Sequence, residues 1–199
     1  MRHHFLVRDL WARTETVRYV LFEQALIDCL VDIRDGAHAW WVPAVEGLSP
    51  KQVMSIQLID AFRNIQKVSK ARLLAAAHHR FDREVLEDYW RQSCANAQSP
   101  WETILRLTIR DLAQWTPQQP FHDATGYQYT VADFVSTRHR VAAFYDGHHH
   151  NEPAQIAHDK LVDQKLLEAG WYPFRVTKEQ LKDARALRRR LANILNRRN

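Results

Sequence analysis

Residues 127–147 read YQYTVADFVSTRHRVAAFYDG. From Tyr127 to Val135 the residues alternate well enough to predict a strand. Arg140 to Tyr145 is a short apolar run, which is typical of a buried strand. Ser136 to Arg138 forms the turn between the two, and Asp146-Gly147 ends the second one. This stretch therefore predicts two consecutive strands, each followed by a turn.

Helices and further strands are predicted on both sides of this stretch. Ser99-Pro100 is typical of a helix start, and two prolines end this helix after about residue 115. Gly170 stands in the position of a helix C-cap. The predicted elements are a helix at 99–115, strands at 121–123, 127–135 and 140–145, a helix at 153–169, a strand at 171–176 and a helix at 178–195. This order, α-β-β-β-α-β-α, predicts a mixed α/β unit.

The first half of the chain has helical patterns throughout. Helices are predicted over residues 15–34 and 81–91, with two more between them. For the Trp40-Trp41 pair a core role is favoured over contact with bases or a partner. The short polar segment 94–98 is the predicted domain boundary. The two predicted domains are a helical N-terminal domain, residues 1–97, and a second domain, residues 98–199.

The composition of this 199-residue chain excludes several classes of protein. With 46% hydrophobic and 11% aromatic residues it can bury a core. No run of about 18 apolar residues predicts a membrane helix, and the first residues have no secretory-signal pattern. Cys29 and Cys94 form no CxxC pair, which argues against a zinc ribbon or a disulfide scaffold. We therefore expect a cytoplasmic protein with no membrane partner.

Positive charge is concentrated towards the end of the chain. Residues 1–98 have a net charge of +1, residues 99–199 have +4, and from Arg175 onward there are 9 basic and 2 acidic residues. Such an end is compatible with binding to nucleic acid or another polyanion. A solvated basic helix face is the alternative explanation.

Three acidic residues stand where a metal-dependent nuclease needs them. Asp133 and Asp146 are placed at the ends of the two predicted strands, and Glu102 is in the first turn of the preceding helix. Adjacent strands bring their ends close together. Carboxylates gathered in this way bind a hard divalent cation, which polarises a phosphodiester and activates water.

Each of these acids also has a structural interpretation. Glu102 follows Ser99 by three residues, so its carboxylate can return to the Ser99 backbone N–H in a capping box. Asp146-Gly147 can be a plain turn. Asp133 is harder to explain in this way, because an acid among apolar strand residues is costly when it is buried without a partner.

Three consecutive histidines, His148, His149 and His150, follow Gly147. Histidine can accept a proton from water, contact phosphate or bind a metal near neutral pH. Consecutive side chains point in different directions and no cysteine is nearby, so a shared metal site is the least favoured interpretation. A general base or phosphate contact and a solvated loop both remain open.

Five landmarks between residues 99 and 182 occur together in one order. They are Ser99-Pro100-Trp101-Glu102-Thr103, Ala132-Asp133-Phe134-Val135, Tyr145-Asp146-Gly147 followed by histidine, Asp159 to Asp163, and Gly170-Trp171 leading into Phe174-Arg175-Val176-Thr177. In the order and spacing of these landmarks, the second half of the chain resembles the PD-(D/E)XK nuclease superfamily. Its closest likeness there is to the very-short-patch-repair (Vsr-like) endonucleases and related bacterial proteins. The resemblance implies a restriction-endonuclease-like mixed sheet flanked by helices.

The resemblance also implies roles for individual residues. The metal ligands that it implies are Asp133, Glu102, Asp146 and the Tyr145 backbone carbonyl, holding Mg²⁺ or Mn²⁺. Either His149 or His150 would handle protons beside the metal. The residues expected to contact nucleic acid are His148, Lys160, Arg175, Lys178, Lys182, Arg188, Arg189 and Arg190.

The sequence departs from the family pattern at several positions. Many relatives have a metal-binding glutamate where Phe144 stands, although the repair endonucleases also have phenylalanine there. Relatives often have arginine where Val162 stands. The cysteines of the structural zinc site of the repair enzymes are missing here, which argues against recognition of a T:G mismatch.

The function expected from these patterns is a metal-dependent DNA endonuclease in repair, restriction or defence against mobile elements and phage. The alternative is a catalytically degenerate nuclease fold that binds DNA or a partner, favoured by Phe144, as in a toxin–antitoxin or defence component. An RNA nuclease ranks lower, because the chain lacks an aromatic RNP-like strand pattern. The helical N-terminal half is the expected surface for a homodimer or a partner protein.

Overall fold

A computed structural model describes residues 5–6, 18–147 and 153–198 of the chain. These residues form a mixed α/β structure with eight helices, a two-stranded ribbon and a four-stranded mixed sheet. The elements are β1 (Phe5–Leu6), β2 (Arg18–Tyr19), α1 (Phe22–Asp35), α2 (Pro50–Ile65), α3 (Lys70–Ala76), α4 (Arg83–Gln92), α5 (Pro100–Ile109), β3 (Thr116–His122), β4 (Gln128–Ser136), β5 (Val141–Asp146), α6 (Pro153–Glu168), β6 (Tyr172–Thr177), α7 (Lys178–Lys182) and α8 (Ala184–Arg197). None of the described helices is long and apolar enough to cross a membrane.

The chain divides into two compact units. The first unit consists of the described residues up to Trp40 together with Met54–Ala95. The second consists of Trp41–Val53 together with the described residues from Asn96 onward. Trp41–Val53, which the sequence analysis assigned to the helical half, therefore groups with the sheet.

Helices fill the first unit. Leu26 and Leu30 of α1, Ile59 of α2 and Leu86 of α4 are fully buried, as expected of amphipathic helices that cover one core. Helix α1 ends at Gly36, whose φ of 77° is the left-handed conformation that glycine adopts without a Cβ penalty. The helix predicted from residue 15 is shorter in the structure, since residues 18–19 pair as a strand and α1 begins at Phe22.

The sheet of the second unit has the order β3-β4-β5-β6. Strand β4 is antiparallel to both β3 and β5, whereas β6 is parallel to β5. The parallel pair requires a crossover connection, and α6 supplies it. One face of the sheet packs on α6 in an apolar cluster made of Ala132, Val135, Ala142, Phe144, Val162 and Leu166.

Strand β3 differs from the sequence prediction. The helix expected to continue to Trp115 ends at Ile109, and the strand expected at 121–123 begins at Thr116. Pro117 and Pro120 thus lie inside a strand, paired with Phe134 and Val131. Prolines are tolerated in β3 because it is an edge strand, which pairs with a neighbouring strand on one side only.

The helix predicted over residues 178–195 is divided in two. Helix α7 has a capping box between Thr177 and Gln180. Asp183 then adopts a non-helical backbone, and its side chain caps α8 by accepting from the Ala186 N–H. Capping of a second helix by Asp183 explains the division, which the apolar spacing alone did not indicate.

Candidate functional site

Asp133 lies inside β4, between the buried Ala132 and Phe134, and not at the end of a strand as predicted, because β4 continues to Ser136. The backbone N–H of Tyr145, near the end of β5, donates a hydrogen bond of 2.6 Å to Oδ2 of Asp133. The bond lies just beyond Phe134 and Ala143, which are the pair at this end of the β4–β5 ladder. The sheet itself therefore fixes the position of the carboxylate.

Glu102 lies in the first turn of α5 and is only 8% exposed. Its backbone N–H donates to the Ser99 hydroxyl at 3.1 Å, as the N-cap prediction required. Its carboxylate Oε2 accepts the Gln98 backbone N–H at 2.9 Å. The carboxylate thus lies at the N-terminal end of α5, the positive end of the helix dipole.

Gln118 of β3 joins these two acids. Its Nε2 lies 3.2 Å from Oδ1 of Asp133 and 3.2 Å from Oε2 of Glu102, and it donates to both. Its Oε1 accepts from Nε2 of Gln98 at 3.1 Å. Its φ of 51° places it in the left-handed region, which is uncommon outside glycine. Sequence analysis missed this residue, because a lone glutamine between two prolines is not a recognised motif.

The carboxyl group of Asp133 holds its proton more tightly than an ordinary aspartate does. Burial raises its pKa to about 7, and the nearby charges of Glu102 and Asp146 act in the same direction. The hydrogen bonds from Tyr145 and Gln118 partly oppose this effect. A buried acid with two acidic neighbours is typical of sites that hold a cation or transfer protons.

Asp146, at the end of β5, is engaged by Arg175 of β6. The two side chains form an ion pair of 3.0 Å, and Arg175 is 20% exposed. The same guanidinium contacts Asp163 at 2.9 Å and Asp159 at 3.7 Å, and lies 4.9 Å from the centre of the Phe144 ring. Asp146 is therefore neutralised by a cation of the protein.

The residues expected to contact phosphate differ in their surroundings. Arg175, Lys182 and Arg188 have acidic partners: Lys182 pairs with Glu179 at 2.8 Å, and Arg188 pairs with Asp111 at 2.6 Å. Lys160 and Arg189 are exposed. Lys178 is half-buried, and its Nζ lies 5.2 Å from the centre of the Trp101 ring. Arg190 donates to the backbone carbonyl of Arg175 at 3.1 Å.

The three predicted histidines, His148, His149 and His150, lie outside the described residues. Within the part of the chain that is described, no group of three or more His, Cys, Asp or Glu side chains is arranged to hold a metal ion. The structure brings Asp133 and Glu102 together through Gln118, and it directs Asp146 towards Arg175.

Comparison with protein-family models, with curated proteins and with solved structures finds no match to this chain.

Proposed function

We propose that the second unit is a metal-dependent DNA endonuclease of the PD-(D/E)XK type, with a restriction-endonuclease-like sheet. The observation that carries the proposal is the pair of Asp133 and Glu102, a half-buried and a buried carboxylate that share one amide donor, the Gln118 side chain. Burial and the neighbouring charges of Glu102 and Asp146 raise the pKa of Asp133 to about 7, which is typical of an acid in a functional site.

Asp133 and Glu102 are the residues that would hold a divalent cation in this proposal. Mg²⁺ is usually bound by one or two carboxylates, with waters and substrate phosphate completing its octahedron. Asp133 and Glu102 supply two carboxylates, and the Gln118 amide lies within hydrogen-bond distance of both. When bound, Mg²⁺ or Mn²⁺ polarises a phosphodiester and activates water.

The chain's own groups have distinct tasks in this proposal. The Tyr145 N–H and the Gln118 amide hold the Asp133 carboxylate in one orientation. The Gln98 N–H donates to the Glu102 carboxylate and holds it in the first turn of α5. Lys160 and Arg189 are exposed cations that can contact the DNA backbone, which positions the duplex without reading its sequence.

Cleavage assays test this proposal. Purified protein is incubated with supercoiled plasmid and with branched and mismatched duplexes, in EDTA, Mg²⁺ or Mn²⁺. We expect cleavage that requires the metal and is lost in Asp133→Asn and Glu102→Gln. Asp123→Asn and Glu168→Gln are the matched controls, because both acids accept hydrogen bonds from residues outside the carboxylate pair.

Two results would contradict the proposal. One is cleavage of equal rate in EDTA and in Mg²⁺. The other is the absence of cleavage on every substrate by a folded wild-type protein. Equal activity of Asp133→Asn and wild type would assign the cutting to a different site or to a contaminant.

A second candidate function is a binding module with no catalytic activity. Arg175 favours it, because its guanidinium neutralises Asp146 and lies against the Phe144 ring, where a metal-binding side chain stands in many relatives. In this case DNA binding would persist without cleavage, and Mg²⁺ would leave the melting temperature unchanged.

A further inference from the structure

The rings of Trp41, Trp101 and Tyr145 form a row of successive contacts. Trp101 and Tyr145 are stacked, with ring centres 6.1 Å apart and planes inclined by 9°. Trp41 continues the row, with its centre 6.4 Å from that of Trp101 and an inclination of 45°. All three residues belong to the second unit. Because Trp101 and Tyr145 are half-buried, the outer end of the row is Trp41.

Trp41 is unusually exposed for a tryptophan. Its neighbour Trp40 is half-buried and donates from Nε1 to Gln57 at 2.9 Å, as a tryptophan with a structural role usually does. By contrast, 63% of Trp41 is exposed. The core role predicted from sequence therefore does not extend to Trp41.

The row lies next to charged groups of both signs. Tyr145, its inner member, donates its backbone N–H to Asp133. Lys178 places its ammonium 5.2 Å from the centre of the Trp101 ring. Proteins that bind single-stranded nucleic acid combine exposed aromatic rings with nearby cations. The rings stack on bases and the cations contact phosphates.

We propose that Trp41, Trp101, Tyr145 and Lys178 form a binding site for single-stranded DNA. An unpaired base stacks on the exposed indole of Trp41, and Lys178 contacts a neighbouring phosphate. This inference rests on the proposed function in taking DNA as the ligand, but stacking needs no metal and no cleavage. It implies that the substrate has an unpaired segment near the bond presented to Asp133.

Binding is measured in EDTA, so that cleavage plays no part. The probes are a fluorescent 12-nucleotide oligothymidylate, an abasic strand of the same length and a blunt duplex, followed by fluorescence anisotropy. We expect wild type to prefer oligothymidylate over the abasic strand. Trp41→Ala should weaken binding of oligothymidylate about tenfold, which is within the range measured for one stacked base, and change binding of the abasic strand less than twofold.

Control variants separate stacking from loss of fold. Trp41→Phe retains a ring and should recover part of the affinity. Tyr127→Ala removes an aromatic side chain that is 68% exposed, at the turn before β4, and should leave affinity unchanged. Equal affinity of wild type and Trp41→Ala for oligothymidylate, with both proteins folded, would overturn the inference. So would equal affinity of wild type for the abasic and base-bearing strands.

The outcomes also separate this inference from the proposed function. Metal-dependent cleavage combined with unchanged binding by Trp41→Ala would leave a nuclease without a stacking site. Tryptophan-dependent binding combined with no cleavage would leave a single-strand-binding module without nuclease activity.

Discussion

The backbone N–H of Tyr145 and the carboxylate of Asp133 are joined by a hydrogen bond of 2.6 Å between neighbouring strands. A strand backbone thereby orients the acid on which the proposed chemistry depends. Strands of a sheet are more rigid than loops, so the carboxylate keeps its orientation without a bound ligand. The raised pKa of Asp133 is therefore a property of the folded sheet, and its consequences for stability can be measured.

Replacement of Asp133 by asparagine should stabilise the protein at alkaline pH. The folded-state pKa of about 7 lies above the ordinary value of 3.8, so the folded protein holds this proton more tightly than the unfolded chain. Wild-type stability therefore decreases as pH rises from about 4 to 7, and Asp133→Asn lacks this loss. The quantity compared is the free energy of unfolding of Asp133→Asn minus that of wild type. We expect this difference to be larger at pH 8 than at pH 4 by roughly 3 kcal/mol.

Urea denaturation at both pH values tests this effect. Asp123→Asn is the control of opposite sign, because a hydrogen bond from the Thr125 hydroxyl lowers the pKa of Asp123. That variant should lose stability at neutral pH instead of gaining it. A stability difference between Asp133→Asn and wild type that stays constant with pH would show that Asp133 titrates normally.

Removal of the Gln118 amide should raise the pKa of Asp133 further. Gln118→Ala takes away the donor that both carboxylates share, so the ionised pair is less well stabilised. We expect a loss of about 2 kcal/mol at pH 8 and a smaller loss at pH 5, where Asp133 is protonated. Gln119→Ala, at the next residue of β3, is the control and should show no such pH dependence.

Divalent cations should stabilise the wild-type protein. An ion bound only by the folded state adds about 2.7 kcal/mol when its concentration is 100 times the dissociation constant. Scanning calorimetry in Mg²⁺, with NaCl of equal ionic strength as the reference, should show a higher melting temperature. Asp133→Asn should show no shift. An equal shift in both proteins would place the ion elsewhere.

Loss of the Arg175 guanidinium should strongly destabilise the sheet. Arg175→Met leaves Asp146, Asp159 and Asp163 without their shared cation. We expect a loss of about 3 kcal/mol, with partial recovery in Arg175→Lys, which keeps the charge but not the planar fork. Arg185→Met, at an exposed position of α8, should change stability by less than about 0.5 kcal/mol. Equal stabilities of the two methionine variants would refute a structural role for Arg175.

Neighbouring arginines of α8 should have different effects. Arg188 is 17% exposed and forms two hydrogen bonds with Asp111, so Arg188→Gln should lower stability by about 1 kcal/mol. Arg189 is exposed, so Arg189→Gln should leave stability unchanged. Arg189→Gln should instead change duplex binding. The slope of the logarithm of the binding constant against the logarithm of the salt concentration should become smaller by about one, measured by anisotropy between 50 and 200 mM NaCl. Unchanged slope would remove Arg189 from the DNA contact.

Most of the sheet could be predicted from sequence, because its strands carry patterns of their own. The buried run of β5 and the alternation of β4 place these strands within one residue of their observed bounds. Strand β3 could not be predicted in full, since its prolines normally exclude a strand and only its position at the edge permits them. The break at Asp183 was missed because apolar spacing continues across it.

The candidate site was only partly predictable. Asp133 and Glu102 could be predicted as candidates, because acids in these positions are unusual or match the pattern of the superfamily that the second half resembles. Gln118 was not identified, since its role arises from the pairing of β3 with β4 and not from its neighbours in sequence. Arg175 was expected to contact phosphate, whereas three aspartates surround its guanidinium. Contacts between distant residues decide both cases.

The prolines of β3 also affect whether strands of another copy can add to this sheet. An open strand edge is a template on which a strand of another molecule can add, and repeated addition leads to fibrils. Pro117 and Pro120 remove two N–H donors within four residues of β3. Because a proline of an edge strand has no N–H to donate to an added strand, these residues oppose growth of the sheet from one copy to the next.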